Sequence, residues 1–405
     1  MANTLITPDI IARVGLANLE NNLVMGNKVY RDYSREFVKV GDTIRVRRPV
    51  QFSAIDGAVA VNQDVTEGSF PLVVDKRKHV SWSFNTQDLT LDIEEYNARY
   101  IQPACISLAN QIDYDICGNY ARVWNWVGTP GQTVNSFADF ALAPQRLDNG
   151  AVPQTPRNAV MAPNDTWGLI GSQTSLFIQD AARSAYREGD LGMIAGIGTS
   201  MDQNIRNHTV GAFAGTPLVN GANQNVTYST SATTGTQTLL TKGWTASTAA
   251  VAAGDVFTLA GVNAVNPRSK ASTGYLQQFV VTAAVTADAS GLMSIVIAPA
   301  MITSGPYQNV SAAPADNAAI TMVGTASTAY PQNLVFHKNA FALVMVDLEM
   351  PDGAVWKARQ SKNNFSLRVL KWYDGENDEE KIRLDVLYGT KALYPELATR
   401  LSGTA

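Results

Sequence analysis

The sequence predicts an α+β fold in which a mixed body of helices and strands is interrupted by a separate all-β module. Three observations carry this prediction. Residues 221–333 hold only six charged side chains, Lys242, Asp255, Arg268, Lys270, Asp288 and Asp316, whereas the other 292 residues hold 60. The same stretch is rich in Thr, Ser, Ala, Val and Gly and contains short strand-like runs at 279–285 and 294–297, which suits a module of short strands. The flanks on either side share one charged style and mix helical with extended periods, as expected when one domain is inserted into another. A chain of 405 residues is long enough for two or three buried cores.

The elements follow in order. Thr7 is a good N-cap and Pro8 fits a first helical position, and Ile10, Ile11, Val14, Leu19 and Leu23 recur at roughly helical spacing. This amphipathic helix reads as an arm that docks elsewhere. Residues 38–50 alternate as a strand, with Gly41 and Asp42 near its start. Residues 51–71 have no clear period and two glycines, Gly57 and Gly68; a loop of that length inside a compact domain usually contacts a partner. Residues 73–84 are strand-like. Asp92 and Glu95 form a capping-box-like pair before a long helix whose stripe is Leu108, Ala109, Ile112, Ile116 and Tyr120. Pro103 either kinks that helix or marks its restart. Residues 124–220 mix helical and extended patterns, with a helix around 177–183 and a glycine-punctuated turn region at 189–198. Past the module, 334–346 is extended, and 365–372 and 381–387 alternate on either side of an acidic turn.

Charge and cysteine content narrow the function. Charged residues make up only 16% of the chain, low for a free monomer of this size, so much surface is expected to be buried against partners. The net charge of −4 argues against a general polyanion binder, although the first 50 residues carry eight Lys/Arg against five Asp/Glu. That bias suits an inward-facing arm near nucleic acid or an ordinary solvated face. Cys105 and Cys117 lie in one predicted helix about 18 Å apart at ~1.5 Å per residue, too far for a disulfide. They read as core residues made in a reducing compartment. No apolar run approaches ~18 residues and no signal-like segment is seen, so neither membrane spanning nor classical secretion is expected, and the sequons at Asn164, Asn207, Asn225, Asn309 and Asn364 read as chance matches.

Catalytic chemistry finds no foothold in this pattern. His79, His208 and His337 have no accompanying ligand spacing, and no HExxH, CxxC, GxSxG or P-loop occurs. The acidic turn with Asp374, Glu376, Asp378, Glu379 and Glu380 lacks the ligand alternation and central Gly of a calcium loop; it reads as a solvated turn or an intersubunit salt-bridge loop. Trp124, Trp126 and Trp167 read as packing residues. No enzyme activity, cofactor or metal is expected.

Four stretches taken together resemble one family. They are Phe37-Val-Lys-Val-Gly-Asp-Thr-Ile-Arg-Val-Arg-Arg-Pro49; Val74-Asp-Lys-Arg-Lys-His-Val-Ser-Trp-Ser-Phe84 continuing through Asp92-Ile-Glu-Glu-Tyr96 to Leu108-Ala-Asn-Gln-Ile-Asp113; Asn339-Ala-Phe-Ala-Leu343 followed by Met350-Pro-Asp-Gly353; and Arg383-Leu-Asp-Val-Leu-Tyr-Gly389 leading to Tyr394-Pro-Glu-Leu397. Their order and spacing resemble the major capsid (coat) proteins of tailed bacteriophages with the HK97-like fold, in the insertion-domain branch typified by short-tailed Salmonella phages. The low-charge module falls where that branch carries its extra β-barrel domain.

The resemblance implies a layout: an N-terminal arm at 1–36, a strand and extended loop at 37–71 that reaches over a neighbouring subunit, and a peripheral domain with its spine helix at 72–123 and 354–395. It further implies an axial domain at 124–220 and 334–353, an inserted β domain at 221–333, and a C-terminal tail at 396–405. Assembly residues are expected at Arg45, Arg47, Arg48, Gly57 and Gly68, and in the acidic turn at Asp374, Glu376, Asp378, Glu379 and Glu380. The implied partners are the chain itself, in the hexamers and pentamers of an icosahedral shell, a scaffolding protein, a portal protein, packaged double-stranded DNA without sequence specificity, and a decoration protein. The implied place is the virion capsid, after assembly in the host bacterial cytoplasm through a precursor shell that matures by conformational change. The alternative is a glycan- or receptor-binding β-domain protein of a virion.

Overall fold

The structure, a computed structural model, describes residues 8–35, 43–52, 62, 65–85, 97–173, 189, 191–354 and 356–404. Thr7, Gly57, the Asp92–Glu95 pair and the helix expected around 177–183 lie outside the described residues. The chain folds as two compact units, one of residues 1–44, 71–117 and 341–391, the other of 45–70, 118–340 and 392–405.

The first unit is a sheet with helices against one face. The long strand Glu379–Ala392 lies between Phe365–Asp374 and Lys76–Asn85, antiparallel to both, with Arg383 opposite Leu370 and Ser81. Trp356–Lys362 continues the sheet beyond Phe365–Asp374, and Phe341–Met345 pairs along Glu379–Ala392. The helices Pro8–Asn22 and Gln102–Cys117 pack on each other and on the sheet. Ile11, Leu16, Leu19 and Leu23 are buried in this packing, so the helix expected to dock elsewhere is seated in its own unit. Gly15 makes that approach close: a Cβ there would come 2.9 Å from Leu367 Cδ2. Asp113, buried on the long helix, accepts the Val24 and Gly26 N–H groups at 2.7 and 2.8 Å and fixes the turn that ends the arm helix.

Pro103 marks a restart. A π-helical turn, Asn97–Ile101, runs directly into the α-helix Gln102–Cys117, and Pro103, which has no N–H to donate back to that turn, sits where the helix changes from one form to the other. The alternation expected at 365–372 is present in chemistry but absent in burial. Residues 365–370 are all buried, because Ser366, Arg368 and Leu370 are covered on the face away from the helices.

The second unit contains two six-stranded sheets and smaller two-stranded ones. One has the order Trp126–Val127, Ala398–Leu401, Asn333–His337, Arg157–Met161, Ile197–Met201, Met193–Ile194. The helices Phe137–Asn149 and Pro163–Gln173 belong with it, and Phe140, Leu147, Leu169, Met161 and Val335 form its core. Ser136 caps the first of these helices by accepting the Asp139 N–H. The glycine-punctuated region at 189–198 holds the tight hairpin of the last two strands, with Gly196 at φ +75°. The C-terminal residues expected as a tail instead contribute an interior strand. Ala398–Leu401 is wholly buried, parallel to Trp126–Val127 and antiparallel to Asn333–His337. Four consecutive buried residues, two of them polar, gave no amphipathic period by which to read a strand.

The other sheet is the inserted module. Its order is Ile320–Met322, Val256–Val265, Ser272–Val281, Met293–Ala298, Gln237–Trp244, Gly215–Val219. A bridge between Leu218 and Ala319, with Val219 N–H donating to Ala318 O at 3.0 Å, brings its first and last strands together and closes a barrel. The barrel takes in Gly215–Val219, upstream of the composition boundary at 221. Below it, Asn207–Thr209 pairs with Ala329–Pro331 as a two-stranded neck through which the chain enters and leaves.

Candidate assembly site

The sequence-predicted assembly residues fall into two groups, one in each unit. Arg45, Arg47, Arg48 and Gly68 belong to the second unit and flank the segment expected as the extended loop, most of which lies outside the described residues. Arg45 and Arg47 point to solvent on the strand Thr43–Arg47, and Arg47 Nη1 lies 3.3 Å from Glu67 in an exposed pair worth little by itself. Arg48 is different. Its guanidinium pairs with Glu396, lies 4.8 Å over the Phe70 ring and 5.4 Å over the Tyr394 ring, while its N–H donates to Gly68 O at 2.7 Å. Gly68 passes so close to the barrel that a Cβ would meet Ala232 O and the Tyr228 hydroxyl at 2.6 Å.

Two residues that sequence reasoning missed complete this base. Tyr228 and Tyr307 stack face to face, 3.5 Å between centroids at 3°. The Tyr307 hydroxyl accepts the Gln51 N–H at 3.2 Å and donates to Thr66 O at 3.3 Å. Burial, first of all, pushes the Tyr228 phenol above its ordinary range. The two tyrosines stand 79 positions apart in a region where aromatics are scattered, so no local period could have paired them.

The acidic turn belongs to the first unit and is satisfied within its own hairpin. Asp374 pairs with Lys381 and accepts from Asn377 Nδ2 and the Glu376 N–H at 3.0 and 3.1 Å. The Lys381 ammonium, more than the two neutral donors, draws the Asp374 carboxyl down to about 2. Asp378 accepts the Tyr373 hydroxyl at 2.7 Å, Glu379 lies 4.0 Å from Lys381, and Glu380 pairs with Lys371. Among the described residues no group of three or more His, Cys, Asp or Glu side chains is arranged to hold a metal ion.

Beyond the turn, the sheet of the first unit presents a basic face. The register places Arg77, His79, Arg359, Arg368, Lys357, Lys381 and Arg383 on one side, against Asp374, Glu379 and Asp385. Asp385 is fully buried. Arg368 Nη2 approaches it at 2.6 Å, Arg383 Nε at 2.7 Å and Arg77 Nη2 at 3.8 Å. Both oxygens of this buried carboxylate have charged donors, Oδ2 from Arg368 Nε and Nη2 and Oδ1 from Arg383 Nε, which offsets the cost of its burial.

A second buried cluster joins the barrel to its neck. Asp255 accepts His208 Nε2 at 2.8 Å, the Ala252 N–H at 2.7 Å and the Gly211 N–H at 3.1 Å. With Nε2 donating, His208 Nδ1 accepts the Tyr120 hydroxyl at 3.1 Å. Arg400, fully buried on the C-terminal strand, donates to Gly254 O at 2.8 Å and Gln332 Oε1 at 3.2 Å. Its Nε and Nη2 have no hydrogen-bond partner among the described residues. The rings of Tyr120 and Trp126, at 5.1 and 5.4 Å, take up that charge instead. Burial draws the guanidinium down to about 9. Asp255 was readable as unusual, being one of six charges in the module; Arg400 carried no such signal. His337 Nε2 donates to Thr155 O, 3.2 Å away, and His79 is exposed on the edge strand. Cys105 and Cys117 are buried free thiols, and burial pushes Cys105 up to about 12.

Comparison with known proteins gives the following. The family model described as "P22 coat protein - gene protein 5" matches residues 7–403. A curated "Major capsid protein" of Acyrthosiphon pisum secondary endosymbiont phage 1 is 24% identical over 291 residues, covering 68% of each chain. Among solved structures, one of Mycobacterium phage Che8 aligns over 93% of this chain and 90% of its own at 13% identity and a TM-score of 0.49. The CUS-3 coat protein I-domain aligns over 28% of this chain and 98% of its own at 30% identity and a TM-score of 0.21.

Proposed function

The chain belongs to the P22 coat protein family and is a phage major capsid protein with the HK97-like α+β fold, and from that premise we propose how it builds a shell. Copies associate as hexamers and pentamers of an icosahedral head around double-stranded DNA. Assembly takes place in the host bacterial cytoplasm on a scaffolding protein, with a portal protein at one vertex, and the precursor shell matures by conformational change. The first unit is the peripheral domain, with the arm folded onto it. The sheet containing Asn333–His337 is the axial domain, and the barrel above the Asn207–Thr209 neck is the insertion domain.

The observation that carries the assembly reading is charge complementarity between the loop and the peripheral sheet. Residues 51–71 contain Asp56, Asp64 and Glu67 and no Lys or Arg. The sheet face carries six cations, Arg77, Lys357, Arg359, Arg368, Lys381 and Arg383, against five carboxylates, Asp374, Glu379 and Asp385 on the strands and Asp352 and Asp347 paired with Lys357 and Arg359, which leaves a small positive excess. On this reading the loop of one copy lies on the sheet face of the next. Individual contacts of this kind are weak, and closed symmetry multiplies them. Electron microscopy of the full chain expressed with and without scaffolding protein tests the reading. Shells or polyheads are expected; a chain that stays monomeric under every condition overturns it.

A further inference from the structure

We infer that the inserted barrel aims the extended loop, and that Tyr307 is the residue that does so. The inference rests on the reading above, in which that loop reaches a neighbouring copy.

The two ends of the loop meet at one atom. Gln51 N–H arrives at the Tyr307 hydroxyl from the outgoing side and Thr66 O receives its proton on the returning side. The chain up to residue 52 and the chain from residue 65 onward are therefore held together by one side chain of the barrel. The hydroxyl is held in place from behind. Tyr307 lies flat on Tyr228, and the Tyr228 hydroxyl sits under Gly68, where there is no room for a side chain. Arg48, one turn of chain before Gln51, is bound to Gly68 O through its N–H and to Glu396 through its guanidinium, between Phe70 and Tyr394. The base thus has a fixed strand pair, a fixed ring stack and a hydroxyl that bridges the two.

The leverage explains why this arrangement matters. A segment of this length that turns back on itself can reach at most about 20 Å from its base, at ~3.3 Å per residue. A swing of about 10° at the base then moves the tip by roughly 4 Å, more than a hydrogen bond or a salt bridge tolerates. Every copy in a shell must place the same contact, so an error at the base recurs at each interface. Deleting the hydroxyl while keeping the stack isolates the aiming role from the packing role.

The test uses the full-length chain. Tyr307→Phe retains the ring on Tyr228 and removes both hydroxyl bonds. Amide exchange at residues 48–51 and 66–68 of the soluble subunit should rise by about tenfold, the consequence of losing one or two hydrogen bonds at a local opening. The thermal midpoint should stay put and scaffold-assisted assembly should slow several-fold. Tyr307→Ala, which also removes the stack, should extend the exchange to residues around Tyr228. Exchange in Tyr307→Phe equal to that of the parent chain overturns the inference whatever the shells do. Normal assembly of a chain in which residues 53–64 are replaced by a short Gly-Ser link overturns the loop reading instead, and leaves the base geometry standing.

Discussion

In the barrel, the side chains that meet between the strands are Leu239, Phe257, Leu259, Phe279, Ile295 and Ile297, and the polar exceptions are local: Trp244 Nε1 donates to Thr241 Oγ1 at 2.8 Å, which donates to Met293 O. In the sheet of the first unit, the middle of the longest strand is Asp385, held under three arginines. Both regions are antiparallel β-structure, and they are stabilised by different physics. The barrel gains from apolar area removed from water, which is non-directional and tolerates small shifts. The sheet gains in the same way on the face that meets the helices, through Phe365, Leu367, Val369, Leu384 and Val386, but its other face depends on a charge network that is costly unless complete. The module's few charges follow the same division. Asp288 caps its own turn through the Ser290 and Leu292 N–H groups, Lys242 pairs with Asp316, and Asp255 locks the neck.

The comparison is broken most severely at Asp385. Asp385→Ala leaves Arg368 buried with its charge uncompensated, and the expected loss is about 4 kcal/mol. Urea unfolding followed by Trp356 and Trp372 fluorescence should show it, with the barrel transition unmoved. A loss below about 1 kcal/mol would mean that Arg368 finds water or another acceptor, and that the sheet is no more charge-dependent than the barrel.

Next comes Asp255→Ala, which strips acceptors from His208 Nε2 and from the Ala252 and Gly211 N–H groups. About 3 kcal/mol is expected, concentrated at the neck. Limited proteolysis should cut near 207–211 and 328–331 before the barrel itself opens. Cleavage inside the barrel first would show that this carboxylate supports the barrel core, and would blur the contrast between the regions.

How far the sequence announced these arrangements differs between the same two regions. The module showed itself by what it lacks, because losing charge over 113 residues is a compositional change that needs no contact information. The helix starting at Pro8 and an irregularity at Pro103, expected as a kink or a restart, were legible because prolines act on their own backbone. The arm helix's destination was not, since Gly15 meets Leu367 across 352 positions and only topology brings them together. Arg48 and Gly68 were expected from the sequence as assembly residues, but nothing there pointed to their partners Tyr228, Tyr307 and Glu396, which come from the barrel and from the supposed tail. The buried strand Ala398–Leu401 stayed hidden for a related reason: a strand covered on both faces has no alternation to read.

Gly68→Ala probes the place where the barrel and the loop base touch. The new methyl would start 2.6 Å from a carbonyl and a hydroxyl, so the strand must shift. A cost of about 1–2 kcal/mol is expected, with the apolar barrel absorbing the displacement. If the Tyr228–Tyr307 stack moves, circular dichroism in the near ultraviolet should report it; an unchanged spectrum and unchanged stability would show the close approach to be slack.

The smallest effect is at the hairpin tip, where Asp374 is only half-buried and its pairing with Lys381 is within reach of solvent screening. Its carboxyl is held at about 2, below its ordinary value near 3.8, chiefly by the Lys381 ammonium. A depressed carboxyl contributes stability that is fully present above the unfolded value and disappears as pH falls through the folded one. The difference between the parent chain and Asp374→Asn should therefore be constant from neutral pH down to about 4, shrink between about 4 and 2, and vanish below. It should also shrink with added salt, unlike the effect of Asp385→Ala, whose partners are enclosed. If the two variants respond to salt alike, burial is not what separates the Asp385 network from an ordinary surface pair.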